Sequence, residues 1–196
     1  MKAKWTVSAL LCVSSLFVPI GAHAQKVFLG ASGGASFWNV DCTGTTACDD
    51  SSNAFRGFIG YNFVDIAGRV QLGIEGFYTS FGKVSARLGF GSSTRSVEAT
   101  GYGLAFAASG RFVPGGRFGY LARIGIANVE SEMITTFPSR TVSSASALSG
   151  VVGLGTNFFI SQNFSVRAEA DVASVKWPDG QTSGVISILG GVALHF

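Results

Sequence analysis

The sequence predicts an all-β protein: an eight-stranded antiparallel up-and-down β-barrel that crosses a membrane. Three observations predict it. Apolar residues alternate with small or polar ones at period two, through segments of about ten to fourteen residues. The chain opens with a stretch shaped like an export leader. It closes on Gly191-Val192-Ala193-Leu194-His195-Phe196, a strand with Phe196, Leu194 and Val192 on one face. A fraying end in water gains nothing from an exposed ring, whereas the last strand of a membrane barrel can seat it in the interfacial girdle.

Residues 1–24 read as the leader. Lys2 and Lys4 make a positive start, the stretch from Trp5 to Ile20 is mostly apolar, and Ala22-His23-Ala24 is a small-x-small cleavage site. The apolar run is broken by Pro19 and Gly21 and is too short and wrongly flanked for a spanning helix. The mature chain is expected to begin at Gln25 and to form one domain over 25–196. Losing Lys2 and Lys4 leaves 12 basic against 11 acidic residues, with no basic cluster that would suit a nucleic acid. Four prolines, 27 glycines and few charges argue for a folded chain rather than a disordered one.

The expected strands follow in order. Segment 26–38 sets Val27, Leu29, Ala31, Ala35 and Phe37 against Gly30, Ser32, Gly34 and Ser36. Segment 53–63 sets Phe55, Ile59, Tyr61 and Phe63 against Arg56, Gly60 and Asn62. Segment 69–81 opposes Val70, Leu72, Ile74 and Tyr78 to Gln71, Gly73, Glu75 and Thr79. Segment 98–112 opposes Tyr102, Leu104 and Phe106 to Gly101, Gly103 and Ala105. In 117–129, Phe118, Tyr120, Ile124 and Ile126 face away from Gly119, Arg123, Gly125 and Ala127. Segment 147–160 separates Leu148, Val152, Leu154 and Phe158 from Ser149, Gly153, Gly155 and Asn157. Segment 164–177 separates Phe164, Val166, Ala168 and Val172 from Arg167, Glu169 and Asp171, and 184–196 completes eight.

The expected connections alternate in length: short at 64–68, 113–116 and 161–163, long and Ser/Thr/Gly-rich at 39–52, 82–97 and 130–146, and intermediate at 178–183. Short turns on one side and long loops on the other are the asymmetry of outer-membrane barrels. The second face is mostly Gly, Ala and Ser with a few charges, which suits a narrow lumen better than a wetted exterior. Eight strands leave an interior that side chains can fill.

Arg56, Glu75, Arg123, Arg167, Glu169 and Asp171 all fall on that small face. Isolated ions there would be costly, but three arginines and three carboxylates can neutralise one another and lace the lumen shut. No nucleophile with a paired base accompanies them, since the mature chain has only His195, near its end. Gly101-Tyr102-Gly103 and Gly153-Leu154-Gly155 resemble phosphate loops but precede no helix, so they read as strand positions. Cys42 and Cys48 flank a flexible polar segment that a disulfide could close, worth only about 2 kcal/mol in the chain-entropy model. Two thiols without a nearby histidine fit a metal site less well. Asp41, Asp49 and Asp50 beside them fit a solvated loop better than calcium. No cofactor and no metal is expected.

With these residues together, the chain resembles the OmpA-like transmembrane domain family of Gram-negative outer membranes. Val40-Asp41-Cys42 with Cys48-Asp49 is similar to the first surface loop of one subgroup. Phe58-Ile59-Gly60-Tyr61-Asn62-Phe63 and Gly73-Ile74-Glu75-Gly76-Phe77-Tyr78 are similar to its second and third strands. Gly153-Leu154-Gly155 and Asn163-Phe164-Ser165-Val166-Arg167-Ala168-Glu169 are similar to its sixth and seventh. The resemblance implies an internal Glu–Arg cluster from Glu75, Arg123, Arg167 and Glu169. It also implies an assembly signal at Gly191, Leu194 and Phe196, read by the barrel assembly machinery, with Leu189 standing where that signal often has a polar residue. It covers the mature chain and does not extend to the periplasmic peptidoglycan-binding domain of full-length members.

The function expected is that of a non-enzymatic, monomeric outer-membrane barrel, embedded in lipid, whose loops meet an envelope or host surface ligand. Envelope integrity, adhesion and resistance to host defence are the roles the resemblance implies. The alternatives are a small pore, a lipid-modifying barrel enzyme and a soluble lipocalin-like binder in the periplasm.

Overall fold

A computed structural model describes residues 26–40, 42–66, 69–88, 93–136 and 139–196, so the expected leader at 1–24, Gln25 and Asp41 lie outside the described residues. Among the described residues nine strands form: β1 (Val27–Trp38), β2 (Thr45–Asp49), β3 (Ser51–Ile66), β4 (Val70–Leu88), β5 (Thr94–Arg111), β6 (Phe118–Thr135), β7 (Thr141–Phe159), β8 (Phe164–Lys176) and β9 (Thr182–His195). Eight of them close an antiparallel ring in the order β1-β3-β4-β5-β6-β7-β8-β9, with β9 back on β1 and β4 joined to β5. The ring is the expected up-and-down barrel. The ninth strand, β2, arises inside the first long connection and pairs with the outer end of β4 through Cys48↔Ala86 and Asp49↔Ser85.

Closure of the ring removes the sheet edges within the apolar belt, the condition under which strands can cross a hydrocarbon layer. Its last bonds join the two ends of the ring: the Phe196 amide donates to the Val27 carbonyl at 2.8 Å, and the Val27 amide to the Phe196 carbonyl at 3.3 Å. The barrel is apolar outside and filled inside. Leu148 and Phe106 are 72% and 67% exposed on the outer face, whereas Glu75 and Ser165 are fully buried in the lumen. Exposed aromatics bound the apolar belt. Phe112, Phe118 and Phe196 stand at the rim of the short turns, and Phe37, Phe55, Tyr78 and Tyr102 at the opposite boundary, as interfacial girdles do.

The strands differ in length. β4 and β7 have 19 residues and β5 and β6 have 18, against 12 in β1, 13 in β8 and 14 in β9. At about 3.3 Å per residue the long strands reach about 60 Å, far more than a belt about 25 Å tall requires even with strong tilt. The segments 82–97 and 130–146, expected as long loops, are therefore mostly strand, and the barrel wall rises on one side beyond the membrane.

Above the belt the alternation reverses its meaning. In β6, Ile124 and Ile126 face outward beside inward Arg123, but higher up Glu130 and Glu132 face outward while Val129 is buried. β5 does the same, with Phe106 and Leu104 outward low down and Glu98 outward above, where Val97 and Ala99 point in. Water outside and a packed core inside replace lipid outside and ions inside. The raised lumen is filled by Trp38, Phe81, Val84, Val97, Val175 and Val185, an apolar layer that the expected small, polar lumen did not include.

A bulge shapes this layer. The β4 register shifts between Ser80 and Gly82, leaving Phe81 unpaired in the ladder. The Phe81 carbonyl, diverted inward, accepts the Ser36 hydroxyl at 2.5 Å and the Trp38 indole N–H at 3.3 Å. Gly82 has φ +74°, and a Cβ there would lie 2.3 Å from the Asn53 carbonyl and the Ser52 hydroxyl. Gly180 also has a positive φ, +89°, but with open space around it. Gly82→Ala is expected to lower stability by more than the roughly 1–2 kcal/mol of left-handed strain alone, and Gly180→Ala by about that strain. Urea unfolding of the folded barrel in detergent compares the two, and equal midpoints would contradict the close-approach argument.

Candidate functional site

Arg56 on β3, Glu75 on β4, Arg123 on β6 and Arg167, Glu169 and Asp171 on β8 all point into the lumen, and the structure brings the six together. Arg123 is the hub. Its Nη1 lies 2.8 Å from Glu169 Oε2 and 3.4 Å from Glu75 Oε1, its Nε donates to Asp171 Oδ1 at 3.0 Å, and its Nη2 bonds Asp171 Oδ2. Arg56 bridges Glu75 at 2.8 Å and Asp171 at 3.2 Å. Arg167 is held more loosely, with Nη2 3.6 Å from Glu75 and 3.5 Å from Glu169 and no hydrogen bond at Nε or Nη2.

Neighbouring strands explain how six ions fit one cross-section. Arg123 pairs across the sheet with Gly153, and Gly153 with Asp171. A Cβ on Gly153 would sit 2.1 Å from Asp171 Oδ1 and 2.6 Å from Arg123 Nε, so the missing side chain is the room the ion pair occupies. Three further contacts were not foreseen. The Ser32 hydroxyl donates to Glu169 Oε1 at 2.7 Å. The Arg56 guanidinium lies 4.1 Å from the centre of the Phe77 ring, and Arg167 4.1 Å from that of Phe58. Both rings are buried at inward parity, Phe58 two residues after Arg56 and Phe77 two after Glu75, which is the signal that could have found them. Cation–π stacking of this kind is strongest where water is excluded.

His195 lies at the lumen end near the short turns, its Nε2 2.9 Å from the buried Ser165 hydroxyl and its ring 5.7 Å from that of Phe159. Gly191 faces the lumen opposite Ser32, whereas Leu194 and Phe196 face outward with exposures of 41% and 43%.

At the raised end the Cys42–Cys48 disulfide, with Cα atoms 5.9 Å apart, ties the turn that leads into β2. β2 thereby walls one side of an open cup of about 260 Å³ whose floor includes Val84 and Val97 and whose far side carries Trp177, Arg95 and Gln181. Arg95 holds the β8–β9 turn: its Nη2 bonds Asp179, and its guanidinium lies 5.1 Å from the Trp177 ring. Partial burial pushes the Asp179 carboxyl upward, but the hydrogen bonds from Arg95 and the Gln181 amide outweigh it and hold the group below its ordinary value. The Trp177 indole N–H, shielded from solvent in this wall, has no partner.

The family model for the outer membrane protein beta-barrel domain matches residues 8–196. No match was found among curated proteins. Among solved structures, Ail, the attachment invasion locus protein of Yersinia pestis in complex with the heparin analogue sucrose octasulfate, is similar over 87% of this chain and 99% of its own, at 16% identity and a TM-score of 0.52. The N-terminal β-barrel domain of Pseudomonas aeruginosa OprF is similar over 88% and 98%, at 14% identity and a TM-score of 0.50. The outer membrane protease OmpT of Escherichia coli covers 75% and 64%, at 11% identity and a TM-score of 0.48. At these identities the likeness is one of fold. The protein is an outer-membrane β-barrel.

Removing one partner of a buried ion network strands the others, at a cost of about 3–5 kcal/mol. Glu75→Ala, which leaves Arg56 and Arg167 short of a carboxylate, is expected to lower the unfolding free energy in urea by that order, and an unchanged midpoint would show the charges to be solvated. The Arg95–Asp179 tie behaves differently. Because the folded Asp179 value is depressed, its contribution is complete above the ordinary aspartate value of about 4 and is lost as pH falls below it and through the lowered one. Half-exposed pairs are worth about 1 kcal/mol or less, so faster amide exchange at Gln181 is expected there without loss of the barrel.

Proposed function

Since the chain belongs to the outer membrane protein beta-barrel domain family, we propose that it is a sealed, monomeric, non-catalytic barrel that presents its raised end to a ligand on a host or envelope surface. The observation that carries this reading is the wall of β4–β7, which continues beyond the apolar belt and ends in a disulfide-tied cup. A barrel needed only to span the membrane gains nothing from that extension. Each lumen carboxylate is held by arginine, and the apolar layer lies over them, which supports a scaffold rather than a pore or a hydrolytic site. By the family's asymmetry of short periplasmic turns and longer surface loops, the raised end faces outward from the cell. Residues 1–24 then serve as the leader, and Gly191, Leu194 and Phe196 as the strand signal taken up by the barrel assembly machinery.

Cells displaying the protein test this. Replacing residues 42–48 by a short Gly-Ser linker is expected to leave heat-modifiable gel migration intact and to reduce attachment to cultured epithelial cells at least tenfold. Undiminished attachment would refute a role for the mouth. Deleting Phe196 is expected to slow insertion at the outer membrane while leaving the unfolding free energy of already folded barrels within about 1 kcal/mol, the usual scale of a terminal contact. Normal insertion kinetics would count against the assembly signal.

A further inference from the structure

The outer wall carries a concavity on the membrane side. Across the sheet, Leu72, Ala108, Ala122 and Leu154 form one row, β4 to β7. Two methyl groups between two leucines leave a hollow, closed above by Phe106 and Ile124 and at one side by Phe63, with a volume of about 400 Å³. Phe63 takes this position because the β3 ladder shifts register between Asn62 and Val64. Ala108 and Ala122 are each four residues from the rim aromatics Phe112 and Phe118. That is about 13 Å along the strand, within the half of the hydrocarbon layer next to the short turns.

The rim beneath this hollow is charged in a matching way. Arg69 ends the β3–β4 turn directly before Val70, which pairs with Gly110 below Ala108. Tyr120 stands beside it, its hydroxyl 3.4 Å from the Arg69 carbonyl. Arg117 lies on the next turn, before β6. Both arginines and Lys26 are exposed, and Asp65 is the one side-chain carboxylate on that arc among the described residues. The β7–β8 turn on the far side, Ser161-Gln162-Asn163, carries no charge. Cations are thus gathered under the one wall that has the hollow.

We propose that this wall seats one anionic glycerophospholipid from the periplasmic leaflet, with an acyl chain in the Ala108–Ala122 hollow and its phosphate between Arg69 and Arg117. The chain gains a surface shaped to it rather than flat sheet, and the phosphate gains two guanidiniums at the interface, where attraction is less screened than in bulk water. Tyr120 adds an amphipathic ring at headgroup level. The site is independent of what the raised mouth binds.

The test uses the folded mature barrel transferred from nanodiscs of phosphatidylcholine and phosphatidylglycerol in equal amounts into mild detergent, with retained lipid counted by native mass spectrometry. One phosphatidylglycerol per barrel is expected, at least tenfold over phosphatidylcholine. Arg69→Gln with Arg117→Gln is expected to remove the preference, and Ala122→Phe, which fills the hollow, to lose the lipid with both arginines present. Heat-modifiable migration checks that each variant is folded, and Ala108→Phe replaces Ala122→Phe should the latter fail. Equal retention of the two lipids would overturn the proposal. So would a loss in the arginine variant alone, which would mark diffuse attraction, or retention of added lipid A in place of phosphatidylglycerol.

Discussion

Arg123 meets Glu75, Glu169 and Asp171 inside a ring too narrow to hydrate them separately, and much of the barrel follows from that contact. Charges removed from water must be matched nearly one to one, because a single unpaired ion costs more than most side-chain contacts return. The match needs space in a lumen that eight strands barely provide. Gly153 supplies it opposite Arg123, and Gly155 and Gly191 leave similar gaps beside Glu169 and Ser32. Glycine in a strand ordinarily weakens it. Here it is the condition for the strongest interactions in the interior.

The network also fixes which part of the lumen can be anything else. Phe77 stacks on Arg56 on the side of the apolar layer around Trp38 and Phe81, whereas Phe58 stacks on Arg167 on the opposite side, against Phe28 near the short turns. The diverted Phe81 carbonyl is satisfied from Ser36 and Trp38, so the transition from polar to apolar filling does not orphan the carbonyl that the bulge turns inward. Two solvents are thereby handled by one set of strands, with no change of topology between them.

The fold was legible because period-two alternation survives any change of solvent. The register that placed Arg56, Glu75, Arg123, Arg167, Glu169 and Asp171 on one face needed only parity. The raised wall was not legible for the same reason. A strand leaving lipid keeps its parity but exchanges the polarity of its faces, and Lys83, Glu98, Glu130 and Ser144 then look like loop residues because they are outward and polar. Val97 and Val129 carried the opposite signal, inward at unbroken parity in β5 and β6, whereas the bulge at Phe81 shifts the parity of β4 and turns Val84 inward. β2 was hidden by its length, five polar or small residues that include Cys48 of the disulfide and end on Asp49. Ser32 and the stacked rings of Phe58 and Phe77 were hidden in another way: parity gives a face but not a height, and contacts across the lumen depend on stagger between strands distant in sequence.

Separating the ion layer from the mouth has a physical consequence for how such a protein can vary. The cup is lined from β2, β4, β5 and the β8–β9 turn, and the apolar layer of Val84, Val97, Val175 and Val185 lies between it and Arg123. Side chains on the cup can therefore change charge without altering the pairing below, since the intervening core transmits packing but carries no ion to repel or attract. Stability resides in the buried pairs and the closed ladder, recognition in a rim held by Cys42–Cys48 and by the Arg95–Asp179 tie. A mouth held by two local clamps on an independent barrel can be remodelled without costing the membrane-spanning part its fold.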